Sequence, residues 1–328
     1  MQKILVTGGA GYIGSITSRI LSNEGFTPVI VDNLANGNRE AVGEFEFHEA
    51  DLRDYEAIHD VLSAVKPDGV IHFAALKAAG ESMEIPEAYY ENNVGGSANL
   101  FKAMIDLELD NVVFSSTAAV YGDPEKLPVD EDDATIPTSV YGHSKLQVEE
   151  QLDWLAKLNR LSSIRLRYFN VAGALEDGSI GEDSPKLMNL IPRLIKCLQG
   201  EATFQLYGND YETKDGTNIR DYIHVVDLAK AHVMALQHLS KNKGTDYINI
   251  AVGEGYSNME IIDLVEKVSG QKLEYDVVDR RAGDPAEVYA SNEKAKNVLG
   301  WEPQYGLEEI IEHAWKWHST HPHGYKGE

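Results

Sequence analysis

Lys3-Ile-Leu-Val-Thr-Gly8-Gly9-Ala10-Gly11-Tyr12-Ile13-Gly14 decides the fold. A short apolar run ends in a Gly-x-x-Gly-x-x-Gly turn at Gly8, Gly11 and Gly14, and a helical apolar period follows through Ile13, Ile16, Ile20 and Leu21. That is a strand, a tight turn and a helix. Glycine lets the chain turn sharply, lets backbone approach a pyrophosphate and lets the helix pack close to the strand, while the helix N-terminus offers N–H groups to the anion. Asp32 stands 32 − 14 = 18 residues beyond Gly14, at the end of the next apolar run, Pro28-Val-Ile-Val-Asp. A carboxylate there accepts from both hydroxyls of an adenosine ribose and repels a 2′-phosphate, so the expected cofactor is NAD rather than NADP.

Outward from this unit the alternation repeats. Helical patterns at 55–65, 96–107 and 141–158 separate strand-like runs at 69–75, 111–116 and 161–168. Strands alternating with helices of this length predict an α/β protein, a Rossmann-type doubly wound parallel sheet. After Asn170 the rhythm gives way to loops rich in Gly, Asp and Ser until 221–239. The expected division is 1–172 for the NAD-binding domain and 173–328 for a smaller α/β substrate-binding domain, with 221–250 crossing back to the first.

The composition excludes whole classes of function. The 328 residues hold 29 Lys+Arg against 53 Asp+Glu, a formal charge of −24. A surface this acidic repels nucleic acid and anionic membranes, so neither is an expected partner. No apolar run approaches the ~20 residues that cross a bilayer. One cysteine, Cys197, makes no internal disulfide, and no charged-then-apolar leader precedes the first strand, so the expected compartment is the cytoplasm. His72, His143 and His224 form no grouping with metal-ligand spacing, and no metal is expected. Met83 and Met104 read as core packing. Leu100, Met104, Leu152 and Leu155 suit either the core or a second subunit.

A second signal is Tyr141-x-x-x-Lys145, whose i, i+4 spacing puts both side chains on one helix face. A phenol with an ordinary pKa near 10 is a poor base at neutral pH, but a neighbouring ammonium and a cationic nicotinamide favour its phenolate. Ser115-Ser116-Thr117 ends the preceding strand. Ligands of doubly wound sheets sit outside the carboxyl ends of the strands, so a hydroxyl there faces the same crevice as Tyr141.

Together, the glycine turn, the strand-end hydroxyl and Tyr-x-x-x-Lys resemble the extended short-chain dehydrogenase/reductases. Four further stretches, 72–82, 89–94, Arg167-Tyr-Phe-Asn170 and 208–224, are similar to the UDP-glucose 4-epimerases within that family. The likeness spans essentially the whole chain. It implies that Tyr12, Ile13, Asp32, Asn33, Asp51, Leu52, Phe73, Ala74, Ala75, Lys77, Asn92, Lys145 and Phe169 contact NAD, with Gly8, Gly11 and Gly14. It makes Tyr141 the acid/base, assisted by Lys145, and Thr117 the partner of the sugar hydroxyl being oxidised. Asn170, Asn189, Leu190, Phe204, Tyr207, Arg220, Arg281 and Asp284 would hold the UDP-sugar, with Lys77 beside them. Arginines suit that task because a guanidinium pairs bidentately with phosphate.

The resemblance implies 4-epimerisation of UDP-glucose and UDP-galactose through a 4-keto sugar, with hydride passing to and from a retained NAD, in a homodimer. It also implies a size gate four residues after Asp284. Ungapped, that residue is Val288, which suggests room for UDP-GlcNAc and UDP-GalNAc; a one-residue slip gives Tyr289 and reverses the reading. Related dehydratases and decarboxylases resemble one another in acidic residues just after the strand-end hydroxyl. Here Thr117-Ala118-Ala119-Val120-Tyr121-Gly122 has none, so elimination lacks its acid/base. A non-catalytic NAD sensor or scaffold on the same fold is the alternative of another class, and it would be free to lose Tyr141, Lys145 or Thr117.

Overall fold

Ile4 and Val6 fall in one buried cluster and Leu5 in another, because successive side chains of a strand point to opposite faces. A strand buried on both faces needs helices on both sides, and that requirement sets the architecture. The computed structural model describes residues 2–183, 189–281 and 284–326. In chain order its strands are β1 (Lys3–Thr7), β2 (Thr27–Asp32), β3 (Glu46–Glu49), β4 (Gly69–His72), β5 (Asn111–Ser115), β6 (Ser162–Tyr168), β7 (Asn170–Ala172), β8 (Phe204–Tyr207), β9 (Ile219–Arg220), β10 (Tyr222–His224), β11 (Thr245–Ile250), β12 (Tyr256–Ser257), β13 (Tyr275–Val278) and β14 (Glu287–Val288).

Seven of them form one sheet in the order β11-β6-β5-β4-β1-β2-β3, parallel throughout. The order runs outward in both directions from β1, so the switch point lies between β1 and β4, where a doubly wound sheet opens its crevice. On one face Ile4, Val6, Ile71, Val113 and Ile164 pack with Leu228, Leu236 and Leu239 of the Val225–Leu239 helix. On the other, Leu5, Val29, Val70 and Phe114 pack with Ile58, Leu62, Leu100, Met104 and Leu152. Late segments therefore complete the early sheet: the Val225–Leu239 helix covers one face and β11 extends the edge at β6.

A separate core joins Ile191, Leu194, Leu206, Ile261, Val265, Ile310 and Ile311. Around it lie small sheets, β13-β8, β12-β9-β14 and β10-β7. The sequence reading missed β3, whose residues alternate poorly, and the short helices Ala79–Glu84 and Pro86–Tyr89 that precede a π-helical turn at Tyr90–Gly95. Met83, expected in the core, is 61% exposed in the first of these helices; Met104 is buried as expected. Leu100 and Leu152 are fully buried and Leu155 packs against the same core, so the apolar side chains left outward on the Val140–Lys157 helix and its end are Trp154 and Leu158.

Candidate active site

The glycine turn is tight enough to exclude any side chain. Gly8 has φ +70° and a Cβ on it would stand 2.7 Å from the Ala74 amide at the end of β4; one on Gly14 would stand 2.3 Å from the Gly8 carbonyl. Gly11 precedes the Tyr12–Asn23 helix, and no side chain caps it. Backbone therefore faces the switch point with helix N–H groups aimed outward, a cradle that fits a pyrophosphate. Asp32 ends β2, nearly buried. It accepts from the amides of Ala10 at 3.1 Å and Leu34 at 2.8 Å. Burial raises its pKa while those N–H groups pull it down.

Most of the remaining residues expected around NAD follow the carboxyl ends of β1 to β4. Asn33 donates to Asp51 at 2.9 Å, and Arg53 grips the same carboxylate and lowers its pKa. Leu52 is buried, Ile13 is partly so, and Phe73 lies with its ring 4.6 Å from His232. Ala74 and Ala75 are partly exposed where the chain leaves β4. The Tyr12 hydroxyl donates to the Gly173 carbonyl at 2.7 Å, tying the first helix to the later chain. Asn92 sits in the π-helical turn and donates to Asn93, whose side chain also bonds the Leu76 backbone and the Ser144 hydroxyl. Phe169 packs instead beside Tyr121, Val129 and Ala251. The fit to NAD is good at the glycines and Asp32, which leave room for backbone contact and present a carboxylate to a ribose.

Tyr141 begins the Val140–Lys157 helix, capped by Ser139, whose hydroxyl accepts from Gly142 at 3.1 Å. Its backbone amide donates to Ser82 at 3.0 Å, which fixes the first turn. Thr117 lies at the end of β5, capping a short turn through the Ala119 amide at 3.1 Å. Burial raises the Tyr141 pKa, and a hydrogen bond from Thr117 lowers it. Lys145 is 4% exposed and donates from Nζ to the Ser115 carbonyl at 2.9 Å. Burial pushes its pKa down to about 7, and the Glu149 carboxylate pushes it back up. The ammonium expected to stabilise the phenolate thus faces the strand end, and burial holds the Tyr141 pKa above its ordinary value.

A second cavity, of about 210 Å³, gathers Asn170, Asn189, Leu190, Phe204, Tyr207, Arg220, Arg281 and Asp284, with Arg193 at its wall. Arg220 forms an ion pair with Asp284 at 2.5 Å and donates to the Pro285 carbonyl, so Asp284 fixes the guanidinium plane. Arg281 stacks 3.9 Å over the Tyr207 ring. Val288 is outside this lining; it is buried on β14, paired in register with Arg220. Lys77 reaches Glu182 at 3.5 Å, and Asn189 donates to the same carboxylate at 2.7 Å. Sequence reasoning missed Glu182, which stands in no recognisable motif. It also missed Ser82, Asn93, Arg193 and Glu149, although Glu149 follows Lys145 by one helical turn.

A family model, the NAD-dependent epimerase/dehydratase family, matches residues 4–251. The chain belongs to this family. It is 46% identical over 327 residues to the UDP-glucose 4-epimerase of Lacticaseibacillus casei, covering 99% of each chain. In three dimensions it is similar to the UDP-glucose 4-epimerase of Brucella ovis in complex with NAD, at a TM-score of 0.94 and 42% identity over 96% of this chain and 98% of that one. The enzyme of Bifidobacterium longum in complex with NAD+ and UDP gives a TM-score of 0.93 at 39% identity over 98% of this chain and 99% of that one. The matched residues span the seven-stranded sheet from Ile4 to Ile250 and include the glycine turn, Asp32, Thr117 and Tyr141.

Proposed function

We infer that this protein is an NAD-dependent 4-epimerase of UDP-hexoses, an isomerase interconverting UDP-glucose and UDP-galactose. The observation that carries the roles of its residues is the Tyr141–Thr117 pair beside the buried Lys145, set on a strand-end turn without a carboxylate. Held by its pyrophosphate at the glycine turn, NAD would supply through its nicotinamide a reversible acceptor and donor for the hydride on the sugar carbinol carbon, so that the 4-keto sugar can be reduced from its other face. Tyr141 moves the proton at the 4-oxygen in both directions, and Thr117 holds that oxygen. Asp32 and the glycine turn hold NAD. Arg220 and Arg281 pair with the diphosphate, with Asn170, Asn189 and Leu190 around the rest of UDP. Asp284 acts through Arg220, since a carboxylate aimed at the diphosphate would repel it.

Four finer readings accompany this one. Residues paired across neighbouring strands point to the same face, so Val288 sits on the Arg220 side and Tyr289 on the other; this favours acceptance of N-acetylated UDP-hexoses. Trp154 and Leu158, 64% and 63% exposed and four residues apart, are the stripe we assign to a homodimer contact. The division at residue 172/173 and a cytoplasmic location, consistent with the free thiol of Cys197, complete the reading.

Purified protein given UDP-galactose and no added cofactor should form UDP-glucose with no net release of reduced cofactor. No conversion, with or without added NAD, would overturn the assignment. On UDP-N-acetylgalactosamine, a rate below about a thousandth of that on UDP-galactose, some 4 kcal/mol of discrimination, would overturn the broader specificity.

A further inference from the structure

Behind Tyr141 and Lys145 the same helix face continues to Glu149, one further turn along and 3% exposed. Opposite it the strand end presents three successive residues. The Thr117 hydroxyl meets the Tyr141 phenol, the Ser115 carbonyl takes the Lys145 ammonium at 2.9 Å, and the Ser116 hydroxyl donates to Glu149 Oε1 at 2.5 Å. Three helix residues a turn apart are thus matched to three consecutive strand-end residues. Glu149 is locked in turn by Arg167 of β6, whose Nε donates to Oε1 at 3.0 Å and whose second guanidinium nitrogen lies 2.5 Å from Oε2. Arg167 also donates to the buried Tyr121 hydroxyl at 3.0 Å, and Tyr121 donates to Asn249 of β11 at 2.7 Å. Every oxygen of the buried carboxylate is satisfied, as a charge in such a place requires.

We propose that Glu149 is a positioning residue for the epimerisation: through Ser116 it holds the strand end that carries Ser115 and Thr117 against the helix that carries Tyr141 and Lys145, and its charge supports the Lys145 ammonium. The proposal rests on the epimerase reading above. The groups that face Lys145 are few. His72 of β4 is neutral, with both ring nitrogens bonded to the hydroxyls of Thr7 and Ser97. Phe114 of β5 offers its ring 4.7 Å away, Tyr168 of β6 is bonded to Ser115, and Arg167 of β6 is itself cationic. Glu149 is the carboxylate among them. Removing its charge leaves the ammonium with a carbonyl and a ring.

The test compares Glu149→Gln, which keeps an acceptor for Ser116, with Ser116→Ala, which keeps the charge. For Glu149→Gln, kcat should fall at least ~10-fold with KM for UDP-galactose and bound NAD nearly unchanged. The alkaline limb of its kcat profile should move to lower pH by roughly one unit or more, because a lysine without its counter-charge loses its proton sooner. Ser116→Ala should lower kcat with the limb in place. Should Glu149→Gln fail to fold with Arg167 unpaired, Glu149→Gln/Arg167→Met takes its place and the alkaline shift is the deciding readout. A folded variant with the wild-type profile and kcat, differing only in thermal stability, would reduce Glu149 to a structural ion pair and overturn the proposal. Wild-type protein that converts no UDP-galactose would instead overturn the epimerase reading.

Discussion

Tyr141 is the proposed acid/base, and the phenyl ring of phenylalanine fills its place without the hydroxyl. Tyr141→Phe should leave NAD bound and KM nearly intact while turnover falls at least ~10²-fold, the usual scale of general acid/base catalysis; near-native turnover in steady-state assays would refute the role. His72 makes a different prediction. Burial, with the Lys145 charge, pushes its pKa from 6.5 down to about 3. Between those values the unfolded chain binds a proton that the folded one refuses, so the stability that neutral His72 contributes is whole above pH 6.5 and is lost as pH falls toward 3. The stability difference between wild type and His72→Gln, measured by denaturant melts, should shrink steadily as the pH is lowered through that window. A constant difference would mean that His72 titrates normally in the fold. At this scale, Tyr141, Lys145, Thr117 and Asp32 were legible because spacing along one strand or helix fixes their direction. Glu182 and the Ser116–Glu149–Arg167 set were not, since their meaning lies in partners distant in the chain, 18 residues apart for Glu149–Arg167, 33 for Ser116–Glu149 and 105 for Lys77–Glu182, brought together by the fold.

The Val140–Lys157 helix carries two jobs on different faces. Tyr141, Lys145 and Glu149 face the strand end, Val148 and Leu152 fill the core, and Trp154 leaves the surface apolar with Leu158 just past the last turn. The sequence reading left Leu152 and Leu155 open between core and partner, because a helix with apolar residues on several sides does not say which side meets the sheet. The structure assigns them to the core, and the outward pair remains. If that pair seats a second copy, Trp154→Glu with Leu158→Glu should convert dimer to monomer in sedimentation while bound NAD is retained. An unchanged oligomeric state would exclude this face. The Gly8–Gly14 turn was read correctly in its need for glycine at Gly8 and Gly14, where close backbone approach permits no other residue; β3 escaped because an edge strand need not alternate.

Across the whole molecule, charge is the dominant long-range quantity. If every one of the 29 cations paired with an acid, 53 − 29 = 24 carboxylates would still lack partners. Exposed ion pairs such as Lys102–Asp106 and Lys267–Glu308 contribute little in water, so screening them costs little. Screening the excess repulsion gains more, and the melting temperature should rise from low salt to molar KCl. A melting temperature indifferent to KCl would show that the surplus acid is spread too thinly to matter. The arginines of the 210 Å³ cavity are the local exception, placed where the proposed anionic substrate would arrive. The re-entry of β11 beside β6 has a consequence for how the molecule is made. As the chain emerges from the ribosome, the cofactor half stays an open-edged sheet until residue 250 has been synthesised, with β6 unpaired on one side and the helix that covers a face still missing. The first 172 residues are therefore no detachable cassette: a chain stopped there would expose that edge to other chains, and the Val225–Leu239 helix and β11 must be in place before the sheet can close.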